Sequence, residues 1–213
     1  MRYLLLFVPA LLLTAQTPAA SKKAVDHKAL SAVSVAKNFK ESGSPTAPVK
    51  IEIYTDYECP ACRDLYMNTL PSLTSDFVAT GKVQLLHRDY PLPQHQYSRL
   101  ATRFANAAGA IGKYEVVANQ LFVSQPEWSV NGNVEAAVAK VLSPTDMEKV
   151  KAMVKSDTHL DDTVTTDVAM GNNQDHLTQT PTIVIIAKGK RDVIGGGMPY
   201  TILKQYLNQK LAQ

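Results

Sequence analysis

The two cysteines of this chain constrain its fold and chemistry more than any other feature. Cys59 and Cys62 are the only cysteines among 213 residues, and Pro60 and Ala61 separate them. An apolar, β-rich run at residues 49–54 precedes the pair and a helical pattern follows it, which predicts a strand-to-helix junction with Cys59 at the helix N-terminus. Unpaired amide groups and the helix dipole stabilise a thiolate at such a position. The segment therefore predicts a redox-active dithiol.

The first twenty residues have the pattern of a secretory signal peptide. Arg2 supplies a positive charge, residues 3–13 are apolar, and the small residues at 17–20 suit cleavage. The apolar run is too short to favour the alternative, an uncleaved membrane anchor. We therefore predict a signal peptide at residues 1–20 and export to the periplasm, where cysteine pairs are oxidised.

A structural disulfide without a catalytic role is the alternative interpretation of the same pair. Loop-closure entropy grows with loop length, so a bridge between Cys59 and Cys62 would stabilise the fold little. A bridge that served stability would join distant segments. The short spacing in an exported chain therefore favours a reactive pair.

The rest of the mature chain alternates between strand and helix patterns around a long helical block. Residues 21–48 predict an arm that ends in a Ser-, Pro- and Gly-containing linker. Pro71 should kink or break the helix that follows the cysteines. The predicted elements are strands at 49–54, 82–90, 182–187 and 191–194, and helices at 61–80, within 94–177, and from 199 onward.

Glu52 is the unusual residue of the first predicted strand. A carboxylate inside a central strand is costly unless it is solvated or used. The residues alone leave two interpretations open: Glu52 points outward into water, or it lies beneath the cysteines and handles protons.

The order of elements and three segments resemble the DsbA-like thiol–disulfide oxidoreductases of the thioredoxin superfamily. The segments are residues 52–62, which end in the Cys-Pro-Ala-Cys motif; residues 88–95, Arg-Asp-Tyr-Pro-Leu-Pro-Gln-His; and Thr180-Pro181 before a strand. The resemblance implies an α/β thioredoxin fold with an inserted helical subdomain. It implies a thioredoxin-like domain at 49–92 and 178–213, with the insertion at 93–177.

The resemblance also implies roles for the site residues. Cys59 would be the exposed nucleophile and Cys62 the buried partner that completes the redox-active disulfide. Pro181 would follow a cis peptide bond and pack against the cysteines, with Thr180 nearest the sulfurs. Glu52 would match the buried acid of the family's first core strand, with one extra residue before Cys59, and this shifts our expectation toward proton handling.

The implied activity is the introduction of disulfide bonds into exported proteins. Reduced, unfolded exported proteins would be the substrates, and a quinone-linked membrane oxidase would reoxidise the dithiol. No cofactor is implied, and the short residues 21–48 leave no room for the dimerisation domain of isomerase relatives, so we expect a monomer. Pro60 and Ala61 stand where the best-known oxidants of the family carry a histidine, so we expect a less oxidising couple; a redox titration against glutathione tests this.

Other functions remain as alternatives. A disulfide reductase or isomerase has the same fold, and a thiolate carrier of copper or zinc could use the same two sulfurs. A binding module with a vestigial motif is a further option. The formal charge of +3 is too small and scattered to suggest nucleic acid, and we predict no metal site because the histidines form no ligand-spaced pair: His27, His87, His95, His159 and His176.

Overall fold

The structure, a computed structural model, describes residues 38–213. The predicted signal peptide and residues 21–37 of the predicted arm lie outside the described residues. The strands of the described part are β1 (Glu41–Ser42), β2 (Val49–Thr55), β3 (Val83–Asp89), β4 (Thr182–Ala187) and β5 (Lys190–Gly195). Its α-helices are α1 (Pro60–Asp64), α2 (Leu70–Leu73), α3 (Ser98–Ala110), α4 (Tyr114–Val123), α5 (Gln125–Asn131), α6 (Val134–Ala139), α7 (Pro144–Ser156), α8 (Leu160–Asn173) and α9 (Tyr200–Ala212).

The five strands form one mixed sheet in the order β1-β3-β2-β4-β5. β2 pairs in parallel with β3 and antiparallel with β4, so the strand before the cysteines lies at the centre. Its apolar and β-branched residues suit that position, because a central strand is buried on both faces. The predicted α/β thioredoxin fold with a helical insertion between β3 and β4 is confirmed.

The structure contains a short strand where the sequence predicts the beginning of the linker. Glu41 and Ser42 form the short strand β1, which pairs antiparallel with Leu86 and Leu85 of β3. Two residues carry too little periodicity to be recognised as a strand in the sequence. The pairing covers the outer edge of β3, an edge that would otherwise present free backbone groups.

The helix that begins at the cysteines is continuous but changes its winding, and we call it the dithiol helix. It runs through α1, a π-helical segment at Leu65–Thr69, α2, and a second π-helical segment at Thr74–Val78. The predicted break at Pro71 does not occur. Pro71 has no amide hydrogen to donate, and the winding widens just before it, where the amide of Leu70 donates to the carbonyl of Leu65. A π-helical turn inside an α-helix is often found near a functional site.

Two groups of buried side chains hold the described residues together. The first fills the space between one face of the sheet, the dithiol helix and α9; it includes Ile51, Ile53, Leu65, Leu73, Phe77, Ile183 and Leu203. The second lies in the helical block and contains both cysteines; it includes Tyr57, Cys59, Cys62, Phe104, Leu121, Phe122 and Trp128. The cysteines therefore pack on the insertion, while the rest of the dithiol helix packs on the sheet.

Local signals in the helical block agree with the structure. The side chains of Asn133 and Ser143 accept hydrogen bonds from the amides of Ala136 and Asp146, and so they cap α6 and α7. Trp128 is buried and its indole N–H donates to the carbonyl of Leu121, so this side chain packs inside the helical block. Within residues 38–213, none of the helices combines the length and the apolar character needed to cross a membrane.

His87 of β3 gives a testable pH dependence of stability. Its imidazole is buried, and desolvation lowers its pKa from 6.5 to about 4. The unfolded chain therefore takes up a proton at a higher pH than the folded protein does. We expect the free energy of unfolding to fall as pH drops from 6.5 to about 4, by up to about 3 kcal/mol from this group.

The measurement is urea unfolding across that pH range in the wild type and in His87→Leu. The variant should lose this part of the pH dependence. His159→Leu is the matched control, because His159 is exposed and pairs with Asp162. An unchanged slope in His87→Leu would contradict the assignment.

Candidate active site

The cysteines lie where β2 passes into the dithiol helix. Cys59 is the residue just before the helix, in an extended conformation, and Pro60 occupies the first helical position. Proline suits that position because its missing amide hydrogen would have no helical acceptor. Cys59 is 6% exposed and Cys62 is 0% exposed, while Pro60 and Ala61 are exposed. Cys59 is therefore the sulfur that a partner can reach.

The two sulfurs differ strongly in acidity. Both cysteines are free thiols in this structure. A hydrogen bond from the Cys62 thiol, aided by Thr180 and by the amides of Ala61 and Cys62, lowers the pKa of Cys59 to about 6. Burial, together with the same sulfur–sulfur hydrogen bond, raises the pKa of Cys62 well above its ordinary value. At neutral pH the site therefore holds a thiolate at Cys59 and a thiol at Cys62.

The loop before β4 faces these sulfurs. The Thr180–Pro181 peptide bond is cis, as the resemblance implies. The sulfur of Cys59 lies 3.5 Å from the carbonyl oxygen of Thr180. Thr180 is itself buried beside the sulfurs. The structure thus brings Cys59, Cys62, Thr180 and Pro181 together.

Glu52 lies elsewhere, and this corrects the expectation drawn from the resemblance. Side chains alternate along a strand, so Glu52 points away from the face where Ile51 and Ile53 pack against the dithiol helix. Its carboxylate is 3.1 Å from the guanidinium of Arg88 and 3.0 Å from that of Arg191. The extra residue before Cys59 shifts the register by one, and a shift of one residue moves a side chain to the other face.

The acidity of Glu52 also differs from that of a proton carrier at neutral pH. Burial by itself raises the pKa of this carboxyl, but the charges and hydrogen bonds of Arg88 and Arg191 outweigh burial and leave it below 4.5. The interpretation of Glu52 as solvated is wrong as well, because its side chain is buried. Glu52 is an ion-pair residue on the opposite face of the sheet.

Three side chains to which the sequence analysis gave no role in the site support the segment before the cysteines. Gln125, at the start of α5, donates its amide hydrogens to the carbonyls of Tyr57 and Cys59, at 2.7 and 3.0 Å. Asp56 and His95 form a second support, 2.7 Å apart. No local pattern identifies Gln125 or Asp56, because their partners are distant in sequence; His95 belongs to the family-like segment 88–95.

A groove runs from the exposed start of the dithiol helix along the loop that follows β5. Its volume is about 390 Å³. The residues that line it come from the two sides of the helix start and from that loop: Ala61, Asp64, Leu65, Asn68, Thr69, Gly197, Met198, Pro199 and Tyr200. In the described part of the chain, no group of three or more His, Cys, Asp or Glu residues is arranged to hold a metal ion.

The fold and the unequal sulfur pair define a class of protein: a thioredoxin-fold protein with a dithiol at a helix N-terminus and an adjacent cis-proline loop. Comparison with known families agrees. A family model described as thioredoxin matches residues 36–192, which is more than half of the chain. The chain therefore belongs to the thioredoxin family.

Three solved structures share this fold, and two of them are named as DsbA proteins. The chain resembles alpha-DsbA1 from Wolbachia pipientis with a TM-score of 0.66 and 18% identity, over 81% of this chain and 90% of that one. It resembles oxidised BdbD from Bacillus subtilis with a TM-score of 0.67 and 24% identity, over 82% and 93%. It resembles DsbA2 from Pseudomonas aeruginosa with a TM-score of 0.63 and 21% identity, over 82% of this chain and 95% of that one. These similarities establish the fold.

Curated relatives match over a shorter stretch. A probable disulfide bond formation protein D from Bacillus cereus is 41% identical over 49 residues, and the match spans 23% of this chain and 23% of the relative. A relative of the same name from Bacillus anthracis gives the same identity and coverage. The aligned stretch is less than a quarter of either protein.

Proposed function

We propose that this protein is a thiol–disulfide oxidoreductase that introduces disulfide bonds into exported proteins through Cys59 and Cys62. The observation that carries the proposal is the placement of the two sulfurs, with Cys59 at a helix N-terminus beside the Thr180 carbonyl and Cys62 fully buried behind it. This placement makes Cys59 the more acidic of the two sulfurs. A stable Cys59 thiolate stabilises the reduced form, so the oxidised form readily transfers its disulfide. The DsbA names of two proteins with this fold, and the name disulfide bond formation protein D of the partial relatives, support the same activity.

The first chemical step begins with the oxidised protein. A substrate thiolate attacks the sulfur of Cys59, and a bond forms between the substrate sulfur and Cys59. The Cys59–Cys62 bond breaks, and Cys62 leaves with the electron pair as a thiolate that then takes up a proton. Thiolate leaving groups depart faster when they are stabilised.

The second step releases the product. A second substrate thiolate attacks the substrate sulfur of the mixed disulfide and forms the substrate disulfide. The bond to Cys59 breaks, and Cys59 leaves as a thiolate. Its pKa of about 6 makes it a good leaving group at neutral pH. The substrate loses two electrons and the protein gains them.

The surroundings of Cys59 suit an extended peptide substrate. We assign Thr180 and Pro181 to the loop along which a substrate strand pairs, as in other strand-addition modes of peptide recognition. Ala61 lies on the rim of the groove and Pro60 is exposed beside it, so neither blocks approach to Cys59. Small exposed residues at this point suit a protein that acts on many unfolded chains.

The proposal includes the cellular setting expected from the sequence. Residues 1–20 direct export and are removed, and the mature protein acts as a monomer in the periplasm without a cofactor. A quinone-linked membrane oxidase restores the Cys59–Cys62 disulfide. Residues 49–92 and 178–213 form the thioredoxin-like domain, residues 93–177 the helical insertion, and residues 21–48 the arm and linker.

Oxidation of a reduced, unfolded protein tests this function. A stoichiometric amount of the oxidised protein should form disulfides in the substrate at neutral pH. A redox titration against glutathione shows whether the protein favours oxidation or reduction of its substrates. CxxC cysteines have pKa values of about 3.5 to 7.5, and stronger oxidants lie at the acidic end. A strongly reducing potential would favour the reductase or isomerase alternative. One equivalent of tightly bound copper or zinc, with no disulfide transfer, would favour the carrier.

The acidity of Cys59 gives a direct prediction. The rate of alkylation of the reduced protein by iodoacetamide should rise with pH along a curve with a midpoint near 6, because only the thiolate reacts. In Cys59→Ser the slow reaction of buried Cys62 should show no midpoint in that range. A midpoint near the ordinary value of 9 in the wild type would remove the basis of the proposal.

A further inference from the structure

Asp56 contacts both cysteines through its backbone. Its amide lies 3.4 Å from the sulfur of Cys62, in donor geometry. Its carbonyl accepts a hydrogen bond from the amide of Cys59 at 3.1 Å. The orientation of Asp56 therefore affects both Cys59 and Cys62.

The side chain of Asp56 is fixed by three donors. The carboxylate is 0% exposed. One of its oxygens accepts from the amide of Glu58 at 2.7 Å. The other oxygen accepts from the amide of Leu92 and from Nδ1 of His95, both at 2.7 Å. Two of the three donors come from the loop after β3, which is remote from the cysteines in sequence.

His95 is the one donor of the three that belongs to a side chain. Its ring is 22% exposed, so it connects the buried carboxylate to the protein surface. A buried carboxylate that loses a hydrogen-bond donor is costly, and the residue that carries it tends to move toward a new partner. Loss of His95 would therefore disturb the rotation of Asp56, and with it the amide that faces Cys62.

The buried sulfur needs such a donor when it leaves. Cys62 departs as a thiolate in the first step of disulfide transfer, inside a core where water cannot solvate it. A backbone amide aimed at the sulfur stabilises that charge, and hydrogen bonds weaken steeply as their angle departs from linearity. Accurate placement of the Asp56 amide therefore lowers the barrier of that step.

We propose that Asp56 and His95 are a positioning pair that holds the Asp56 amide against the sulfur of Cys62 and so accelerates its departure. This assigns a role to the segment 88–95 beyond the packing of the strand. In this proposal the acidic residue that influences the reactivity of the dithiol is Asp56. It lies four residues after Glu52, on the loop that contacts the cysteines. The inference rests on the proposed function, because it concerns the leaving sulfur of that reaction.

The experiment measures the second-order rate constant for attack of reduced glutathione on the oxidised protein. His95→Leu removes the donor and should lower the rate constant about fivefold, the worth of one hydrogen bond of ordinary strength. His95→Asn is the conservative variant, because its amide nitrogen can occupy the place of Nδ1, and it should restore most of the rate. The matched control is His159→Leu, which removes an exposed histidine that pairs with Asp162 at 2.8 Å and should leave the rate unchanged.

A double variant tests whether Asp56 and His95 act together. Asp56→Asn weakens the acceptor, and its effect on the rate constant should not add fully to that of His95→Leu, since the two changes break one interaction. Thermal unfolding midpoints, recorded for all variants, give the conditions at which each protein is folded during the assay.

The outcomes separate the two proposals. A wild-type protein that does not react with glutathione contradicts the proposed function. A reactive wild type, with a folded His95→Leu variant that reacts equally fast, overturns the positioning role alone. Full additivity of Asp56→Asn and His95→Leu would also overturn it.

Discussion

Replacing Cys59 with serine is expected to abolish disulfide transfer to a reduced substrate protein. A hydroxyl cannot form the mixed disulfide, and the remaining Cys62 is buried, with a pKa held well above its ordinary value by desolvation. Cys59 is the sulfur within reach of solvent, and its pKa is about 6. Substrate oxidation should therefore fall to the level measured without protein.

The matched variant Cys62→Ser should behave differently. It keeps the accessible Cys59 but lacks the buried thiol that could attack a mixed disulfide and release the partner. Treated with an activated disulfide of a substrate peptide, it should accumulate a stable adduct at Cys59, which mass spectrometry of the intact protein detects. Cys59→Ser treated in the same way should form little adduct.

The comparison of the two serine variants distinguishes exchange from metal transport. If both variants oxidise substrate as the wild type does, the dithiol is not the reacting group. If neither forms an adduct and both lose a tightly bound metal, the carrier alternative gains support. The exchange mechanism requires that Cys59→Ser loses substrate oxidation and that Cys62→Ser accumulates the mixed disulfide.

The dithiol was predictable because its signals are local in sequence. Two cysteines three positions apart, a proline at the first helical position and a β-rich run before them identify the junction without knowledge of the tertiary structure. Thr180 and Pro181 required the family resemblance, since the sequence does not indicate that a segment over a hundred residues away lies 3.5 Å from Cys59. The caps at Asn133 and Ser143 were predictable for the same local reason as the junction.

The supporting contacts were not predictable, because they depend on register and on long-range packing. The pattern of β2 does not distinguish the two faces for Glu52, since residues on both faces of a central strand are buried. One extra residue before Cys59 then decides which face the carboxylate occupies. Gln125 and Asp56 find their partners only after the helical block folds against the dithiol loop.

Replacing Glu52 with glutamine is expected to destabilise the fold without changing the chemistry of the dithiol. The carboxylate pairs with Arg88 and Arg191, and the buried network continues from these arginines to Asp167 and Asp175. Removing one member of a buried ion pair costs roughly 3–5 kcal/mol, because the remaining charges stay buried with weaker partners. Urea unfolding at pH 7 should show a loss at the lower end of that range.

The loss should depend on pH in a defined direction. The pKa of Glu52 in the folded protein is below its ordinary value of 4.5, so its stabilising contribution is present above that pH and disappears as the pH falls through the folded-state pKa. The stabilities of wild type and Glu52→Gln should therefore converge in acid. Glu127→Gln is the matched control: its pair with Lys140 is exposed, and its loss should change stability by less than about 1 kcal/mol.

The alkylation midpoint of Cys59 decides between the two roles considered for Glu52. A proton carrier beneath the cysteines would shift that midpoint when it is neutralised, and would slow exchange at neutral pH. An ion-pair residue on the opposite face of the sheet would leave the midpoint near 6 and the exchange rate unchanged in the folded variant. A clear shift of the midpoint in Glu52→Gln, with a normal value in Glu127→Gln, would restore Glu52 to the site and contradict the role that its contacts with Arg88 and Arg191 indicate.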